Sequence, residues 1–134
     1  MRQMTALVKP ASSLCNLKCS YCFYCDETEN RTKNSNSVMT AETAEKLIRE
    51  IFDFCGDNSN IHYMFQGGEP LIAGLEFFES FIKTVEALKT EGTVVNYSLQ
   101  TNGTLIDENF CEFFKKHNFL IGVSIDGDEP IHNA

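Results

Sequence analysis

The fold of this chain is constrained most strongly by an alternation of short apolar runs with longer stretches of helical periodicity. Four apolar runs bounded by turn-forming residues are predicted strands: residues 5–9, 61–66, 94–99 and 119–125. Three stretches between them repeat apolar residues at helical spacing: residues 40–55, 75–88 and 107–117. Strands that alternate with helices form a parallel sheet with the helices packed on it. The sequence therefore predicts an α/β fold built from parallel βα repeats.

The first of these helices carries the clearest signals. Thr40 is a preferred N-cap residue, and Gly56 follows the last apolar position, where glycine commonly ends a helix. One face of the predicted helix is apolar: Ala44, Leu47, Ile48, Ile51, Phe52 and Cys55. Cys55, and Cys111 on the third predicted helix, lie on or next to apolar faces and are expected to be small core residues.

Composition excludes several classes of function. The chain has 134 residues, enough for one modest domain, and a formal net charge of −8 with 19 acidic and 11 basic residues. It shows no basic face for nucleic acid and no apolar run approaching the ~18 residues that span a bilayer. Residues 1–5 contain no apolar signal core. We therefore expect a cytoplasmic protein that binds neither nucleic acid nor membrane.

Four strands do not close a barrel and would leave an apolar sheet edge uncovered. We therefore expect residues 1–134 to be the N-terminal part of a longer protein. Residues 26–37 carry no apolar side chain and are predicted to form an exposed loop.

The loop after the first strand carries the chemistry. Cys15, Cys19 and Cys22 have the spacing C-x3-C-x2-C, and without an export signal a metal site is favoured over disulfides. Three thiolates can bind three irons of a [4Fe–4S] cluster and leave the fourth iron open to a small molecule. Cys25 leaves two alternatives open, which are a zinc site and a cluster closed by a fourth thiolate.

Three further loops follow predicted strands, and they contain residues 67–70, 100–103 and 124–127. Because right-handed crossovers bring such loops to one end of a parallel sheet, we expect them to meet the cysteine loop. Gly67 and Gly68 would let a ligand approach the backbone, and Glu69 could accept a hydrogen bond from an ammonium group. Ordinary strand-to-helix turns also favour glycine, proline and Asn-Gly pairs.

The cysteine spacing, with Tyr21 before the last cysteine and Gly67-Gly68-Glu69 after the second strand, resembles the radical S-adenosylmethionine (SAM) enzymes. The resemblance implies the N-terminal part of a partial (β/α)6 TIM-like barrel. It implies a [4Fe–4S] cluster on Cys15, Cys19 and Cys22, and SAM contacts from Tyr21, Gly68, Glu69 and Ser124.

Longer stretches resemble the anaerobic sulfatase-maturating enzymes within that superfamily, among them residues 9–24, 65–70, 73–78 and 99–107. This resemblance implies oxidation of a sulfatase cysteine or serine to Cα-formylglycine through a 5'-deoxyadenosyl radical, with Gln66 helping to place the substrate. It also implies an electron donor such as ferredoxin or flavodoxin.

The same family places the catalytic base and two auxiliary [4Fe–4S] clusters beyond residue 134. Residues 1–134 alone are therefore expected to be inactive. The alternatives are another peptide-modifying radical SAM enzyme, or a zinc or iron–sulfur module without SAM chemistry.

Overall fold

A computed structural model describes residues 1–23 and 37–133. The strands are β1 (Gln3–Val8), β2 (Asn60–Phe65), β3 (Val94–Thr101) and β4 (Leu120–Val123). The helices are α1 (Ala41–Cys55), α2 (Leu75–Leu88), α3 (Glu108–Lys116) and the short α4 (Glu129–His132), with a 3-10 turn at Pro70–Ala73. The predicted β-α-β-α-β-α-β order is confirmed.

The four strands form one parallel sheet in the order β1-β2-β3-β4. Gln3 pairs with Asn60 and Val8 with Phe65, while Asn60 also pairs with Val94 across the β2–β3 ladder. Each strand therefore lies beside the next strand in the chain, and all carboxyl ends point to the same edge. This edge carries the loops that were predicted to meet.

Alternation along the strands divides the sheet into two faces. One face, which includes Ile61, Tyr63 and Phe65 of β2, is buried with the apolar sides of the helices. On the other face Leu7, Met64 and Leu120 remain exposed, and His62 hydrogen-bonds to the Ser98 hydroxyl at 2.8 Å. The helices thus cover one side of the sheet.

Aromatic side chains form much of the core. Phe65 packs edge-on against Phe78 and Phe81 with ring centroids 5.2 and 5.1 Å apart, and Tyr97 stacks on Phe119 at 5.1 Å. Such pairs add ~0.5–1.5 kcal/mol each beyond the area they bury.

The helix ends agree with the predicted capping residues. The Thr40 hydroxyl accepts a hydrogen bond from the Thr43 N–H at 3.2 Å, and Gly56 ends α1 at φ +69°. Cys55 is buried as predicted, but the prediction for Cys111 is wrong, since its side chain is exposed. Of the predicted loop at residues 26–37, all but Ser37 lies outside the described residues. Within residues 1–23 and 37–133, no helix is long and apolar enough to cross a membrane.

Candidate iron–sulfur and cofactor site

A cavity of about 360 Å³ lies at the carboxyl edge of the sheet. It is lined by residues from all four strand-end loops: Cys15, Leu17, Cys19, Tyr21, Cys22, Phe23, Gln66, Gly67, Gly68, Gln100, Thr101, Asn102, Ser124 and Asp126. The expectation that these loops converge is therefore confirmed. Glu69 is the predicted site residue that does not line this cavity.

The cysteine loop is held in place by the backbone of Gly68 and Glu69, which follow β2. The Gly68 N–H donates to the Ser12 carbonyl at 3.0 Å, and the Glu69 N–H donates to the Leu14 carbonyl at 2.7 Å. A Cβ on Gly68 would lie 2.6 Å from the carbonyl carbons of Ser13 and Leu14. In the structure the cysteine loop makes this close approach, and the predicted approach of a ligand to the Gly68 backbone stays a prediction.

Glu69 is fully buried, and its carboxyl group has three partners. One oxygen accepts hydrogen bonds from the Leu71 N–H at 3.1 Å and the Thr101 hydroxyl at 2.7 Å. The other accepts from the Asn102 N–H at 2.8 Å. Its side chain thus joins the loop after β2 to the end of β3, and its contact with SAM stays a prediction.

Tyr21 extends from the cysteine loop to the end of β4. Its ring is 71% exposed, and its hydroxyl donates a short hydrogen bond to the Asp126 carboxylate. This hydrogen bond, with the negative charge of Asp126, raises the pKa of Tyr21 to about 12. Asp126 also lies 3.7 Å from the His132 ring. Tyr21 therefore stays a hydrogen-bond donor at ordinary pH and spans the cavity.

Ser124 is positioned by its neighbour on β3. The Gln100 side-chain amide donates to the Ser124 hydroxyl at 2.8 Å, and the Ser124 N–H donates to the Thr101 carbonyl at 2.9 Å. Gly122 leaves room for this arrangement, because a Cβ there would overlap the Gln100 side chain. The hydroxyl of Ser124 is thereby held at the cavity wall.

The three thiols lie around one cavity and form a candidate donor set. Cys15 is exposed, Cys19 and Cys22 are half-buried, and all three line the same cavity. In the described part of the chain, no three Cys, His, Asp or Glu side chains are grouped closely enough for one metal ion. Thiols distributed around a common cavity suit a cluster of several irons, whose ligands bind separate atoms. The residues present therefore fit a [4Fe–4S] group. Cys25 lies outside the described residues.

Two features of the site were missed by sequence reasoning. Asn102 follows β3 in an Asn-Gly pair that also signals a plain turn, yet its side-chain amide lies 3.8 Å from the Cys15 sulfur. Asp126 was placed at the same edge, but its hydrogen bond with Tyr21 was not foreseen. No local pattern pairs residues so far apart in the chain.

Comparison with known proteins identifies the family. The 4Fe-4S single cluster domain family matches residues 10–134. The chain belongs to this family.

This 4Fe-4S single cluster domain is similar in sequence to two anaerobic sulfatase-maturating enzymes. The chain is 43% identical over 133 residues to the cysteine-type anaerobic sulfatase-maturating enzyme of Clostridium novyi (strain NT), covering 99% of this chain and 35% of that protein. It is 35% identical over 134 residues to the serine-type anaerobic sulfatase-maturating enzyme of Bacteroides thetaiotaomicron, covering 98% and 31%. The predicted resemblance is confirmed, and the chain spans about a third of these relatives.

Solved structures agree with the fold. "Native anSMEcpe with bound AdoMet and Cp18Cys peptide" matches with a TM-score of 0.84 and 41% identity, covering 97% of this chain and 33% of that one. "Native anSMEcpe with bound AdoMet" matches with a TM-score of 0.86, covering 97% and 34%. The parallel βα architecture of this 4Fe-4S domain is thus that of the matched third of a sulfatase-maturating enzyme.

Proposed function

We propose that this chain is the cluster- and SAM-binding N-terminal part of a radical SAM core, in an enzyme that oxidises a sulfatase cysteine or serine to Cα-formylglycine. One observation carries the proposal. Cys15, Cys19 and Cys22 line one cavity together with Gly68 and Ser124, to which the resemblance assigns SAM contacts. The identity to cysteine- and serine-type maturases supports the reaction class.

In this proposal each side chain at the cavity has one role. The three cysteines bind three irons of the cluster. The peptide of Gly68 and the hydroxyl of Ser124 contact SAM, and the exposed ring of Tyr21 forms one wall for it. When bound, such a cluster would supply the electron that cleaves the sulfonium of SAM. The 5'-deoxyadenosyl radical released in this way would remove a hydrogen atom from the substrate β-carbon.

Glu69 does not line the cavity, and it supports the loops that form the cavity wall. Because both of its oxygens accept hydrogen bonds from neighbouring loops, it holds Asn102 and Leu71 in place, and its contact with SAM is part of the same proposal. Gln66 lines the same cavity and is proposed to help place the substrate peptide. Reduced ferredoxin or flavodoxin is the proposed electron donor.

Anaerobic reconstitution tests the cofactor part of the proposal. The purified protein should bind about four irons per chain, and its reduced EPR signal should change when SAM is added. Cys19→Ala should abolish the cluster. Cys111→Ala is the matched control, since this exposed thiol on α3 lies away from the cavity and its loss should leave iron content unchanged.

A colourless zinc protein, or a cluster spectrum that SAM does not alter, would contradict the proposal. Loss of the cluster in Cys25→Ala would identify a fourth thiolate ligand and leave no open iron for SAM.

The substrate part needs the intact enzyme that carries this sequence. It should form 5'-deoxyadenosine and a formylglycine-containing product from a peptide with the cysteine or the serine of a sulfatase active site. The cysteine peptide is the first choice, because identity is 43% to the cysteine-type relative and 35% to the serine-type one. Cleavage of SAM without any change in either peptide would instead favour a different peptide-modifying enzyme.

A further inference from the structure

The side chain of Asn102, which directly follows β3, reaches the cysteine loop. We infer that Asn102 is a positioning residue that donates an amide hydrogen bond to the Cys15 thiolate and thereby raises the reduction potential of the cluster. This inference rests on the proposed function, because it assumes that Cys15 binds one of the irons.

The two amide hydrogens of Asn102 have two acceptors. The amide nitrogen lies 3.0 Å from the side-chain oxygen of Asn16 and 3.8 Å from the sulfur of Cys15. A thiolate sulfur is large and polarisable, so it accepts N–H donors at longer distances than oxygen does. Asn102 therefore has a donor directed at each partner.

The hydrogen-bond partners of the Asn102 side chain show which end of the amide is the oxygen and which is the nitrogen. The side-chain oxygen of Asn102 accepts from the Thr104 N–H at 3.0 Å and the Thr104 hydroxyl at 2.8 Å. A backbone N–H can only donate, so the end that faces it must be the oxygen. The nitrogen must then face Cys15.

Asn16 closes the network. Its side-chain nitrogen donates to the Thr104 hydroxyl at 2.8 Å while its oxygen accepts from Asn102. The three side chains thus form a closed triangle. In addition, the Asn102 N–H is bound by the buried Glu69 carboxylate at 2.8 Å. Both the main chain and the side chain of Asn102 are therefore held before any cluster binds.

Cys15 receives a second donor from its own loop, since the Leu17 N–H lies 3.4 Å from the same sulfur. Hydrogen bonds to the sulfurs are one of the protein's means of setting the potential of an iron–sulfur cluster. Reduction adds one negative charge, and N–H donors stabilise the more negative state more strongly. The Asn102 contact should accordingly favour the reduced cluster.

The test is an EPR-monitored redox titration of the reconstituted protein. Asn102→Leu removes the donor without adding charge, and the reduced-to-oxidised ratio at a fixed potential should fall on the order of tenfold. For a one-electron couple that corresponds to a midpoint about 59 mV more negative. Asn102→Asp keeps the acceptor for Thr104 but replaces the donor with a negative charge, so its midpoint should fall further than that of Asn102→Leu.

Thr104→Val is the matched control, because it disturbs the same triangle without touching the sulfur, and its midpoint should stay at the wild-type value. A wild-type midpoint in both Asn102 variants would overturn the inference. So would failure of both to bind iron while Thr104→Val binds it normally, since Asn102 would then only shape the loop. If the wild-type cluster ignores SAM, the proposed function fails, whatever the Asn102 variants show.

Discussion

Gly68→Ala separates two reasons for a glycine at the cavity. If the glycine admits a ligand, alanine should weaken SAM binding and leave the empty protein as stable as before. If it admits the cysteine loop, alanine should destabilise the protein without any cofactor. The structure favours the second outcome, because a Cβ at this position would lie 2.6 Å from the carbonyl carbons of Ser13 and Leu14.

The magnitude follows from the contacts. Carbon atoms pack best at ~3.5–4.0 Å, so the loop must move by about 1 Å. That shift breaks the Gly68–Ser12 and Glu69–Leu14 backbone hydrogen bonds, which are 3.0 and 2.7 Å long. Each contributes ~1 kcal/mol, and overpacking costs ~1–3 kcal/mol. We expect Gly68→Ala to lose ~3–5 kcal/mol of unfolding free energy and most of its iron loading.

Urea unfolding of the cofactor-free protein and iron content after reconstitution are the two measurements. Gly56→Ala is the control, because φ is +69° there and a Cβ would have no neighbour within 4 Å. It should lose ~1–3 kcal/mol from backbone strain alone, because ψ is −168° and this region of backbone space is almost exclusive to glycine, and it should load iron normally. A Gly68→Ala protein with wild-type stability and a full cluster would refute the reasoning.

Two further predictions concern one buried and one half-buried polar group. Glu69→Gln should lose ~1–3 kcal/mol in urea unfolding, because the new NH2 group must face the N–H of either Leu71 or Asn102 and leave it without an acceptor; unchanged stability would contradict this role. His117 packs against the Phe113 ring at 4.7 Å, and burial, with the nearby Lys116 charge, lowers its pKa from 6.5. The unfolded state therefore binds the proton more readily, and the His117 contribution to stability is lost as pH falls below ~6.5. His117→Gln should reduce the fall in unfolding free energy between pH 7 and 5, and identical slopes for both proteins would show that His117 is not responsible.

The secondary structure could be predicted from the sequence because each element carries its own periodic signal. The apolar face of α1 and its capping residues Thr40 and Gly56 are local features, and the structure confirms them. Strand ends were less well defined: β4 spans Leu120–Val123 rather than residues 119–125. Cys111 was misplaced because it follows the inward Phe110, and one step along a helix turns the side chain away from that face.

His117 shows the same limit. His117 lies at the end of α3, where a histidine cation would interact favourably with the helix dipole. Its lowered pKa disfavours the charged form, because the ring is packed against Phe113 and lies near Lys116. A cation at this position would have to overcome both effects, and the extent of burial depends on tertiary packing, which the sequence of α3 alone does not give.

The sequence by itself determined the order of the elements and the edge of the sheet at which the candidate site forms, and it predicted the three cysteines as cluster ligands. These follow from local periodicity and from the rule that loops after parallel strands share one edge. Only the tertiary structure decided that Gly68 accommodates the cysteine loop, that Glu69 accepts hydrogen bonds from three neighbouring residues, and that Asn102 reaches Cys15 across 87 positions. The physical reason is that a hydrogen bond or close contact is made or lost when the distance between two segments changes by a few tenths of an ångström. No residue pattern encodes the distance between distant segments with that precision.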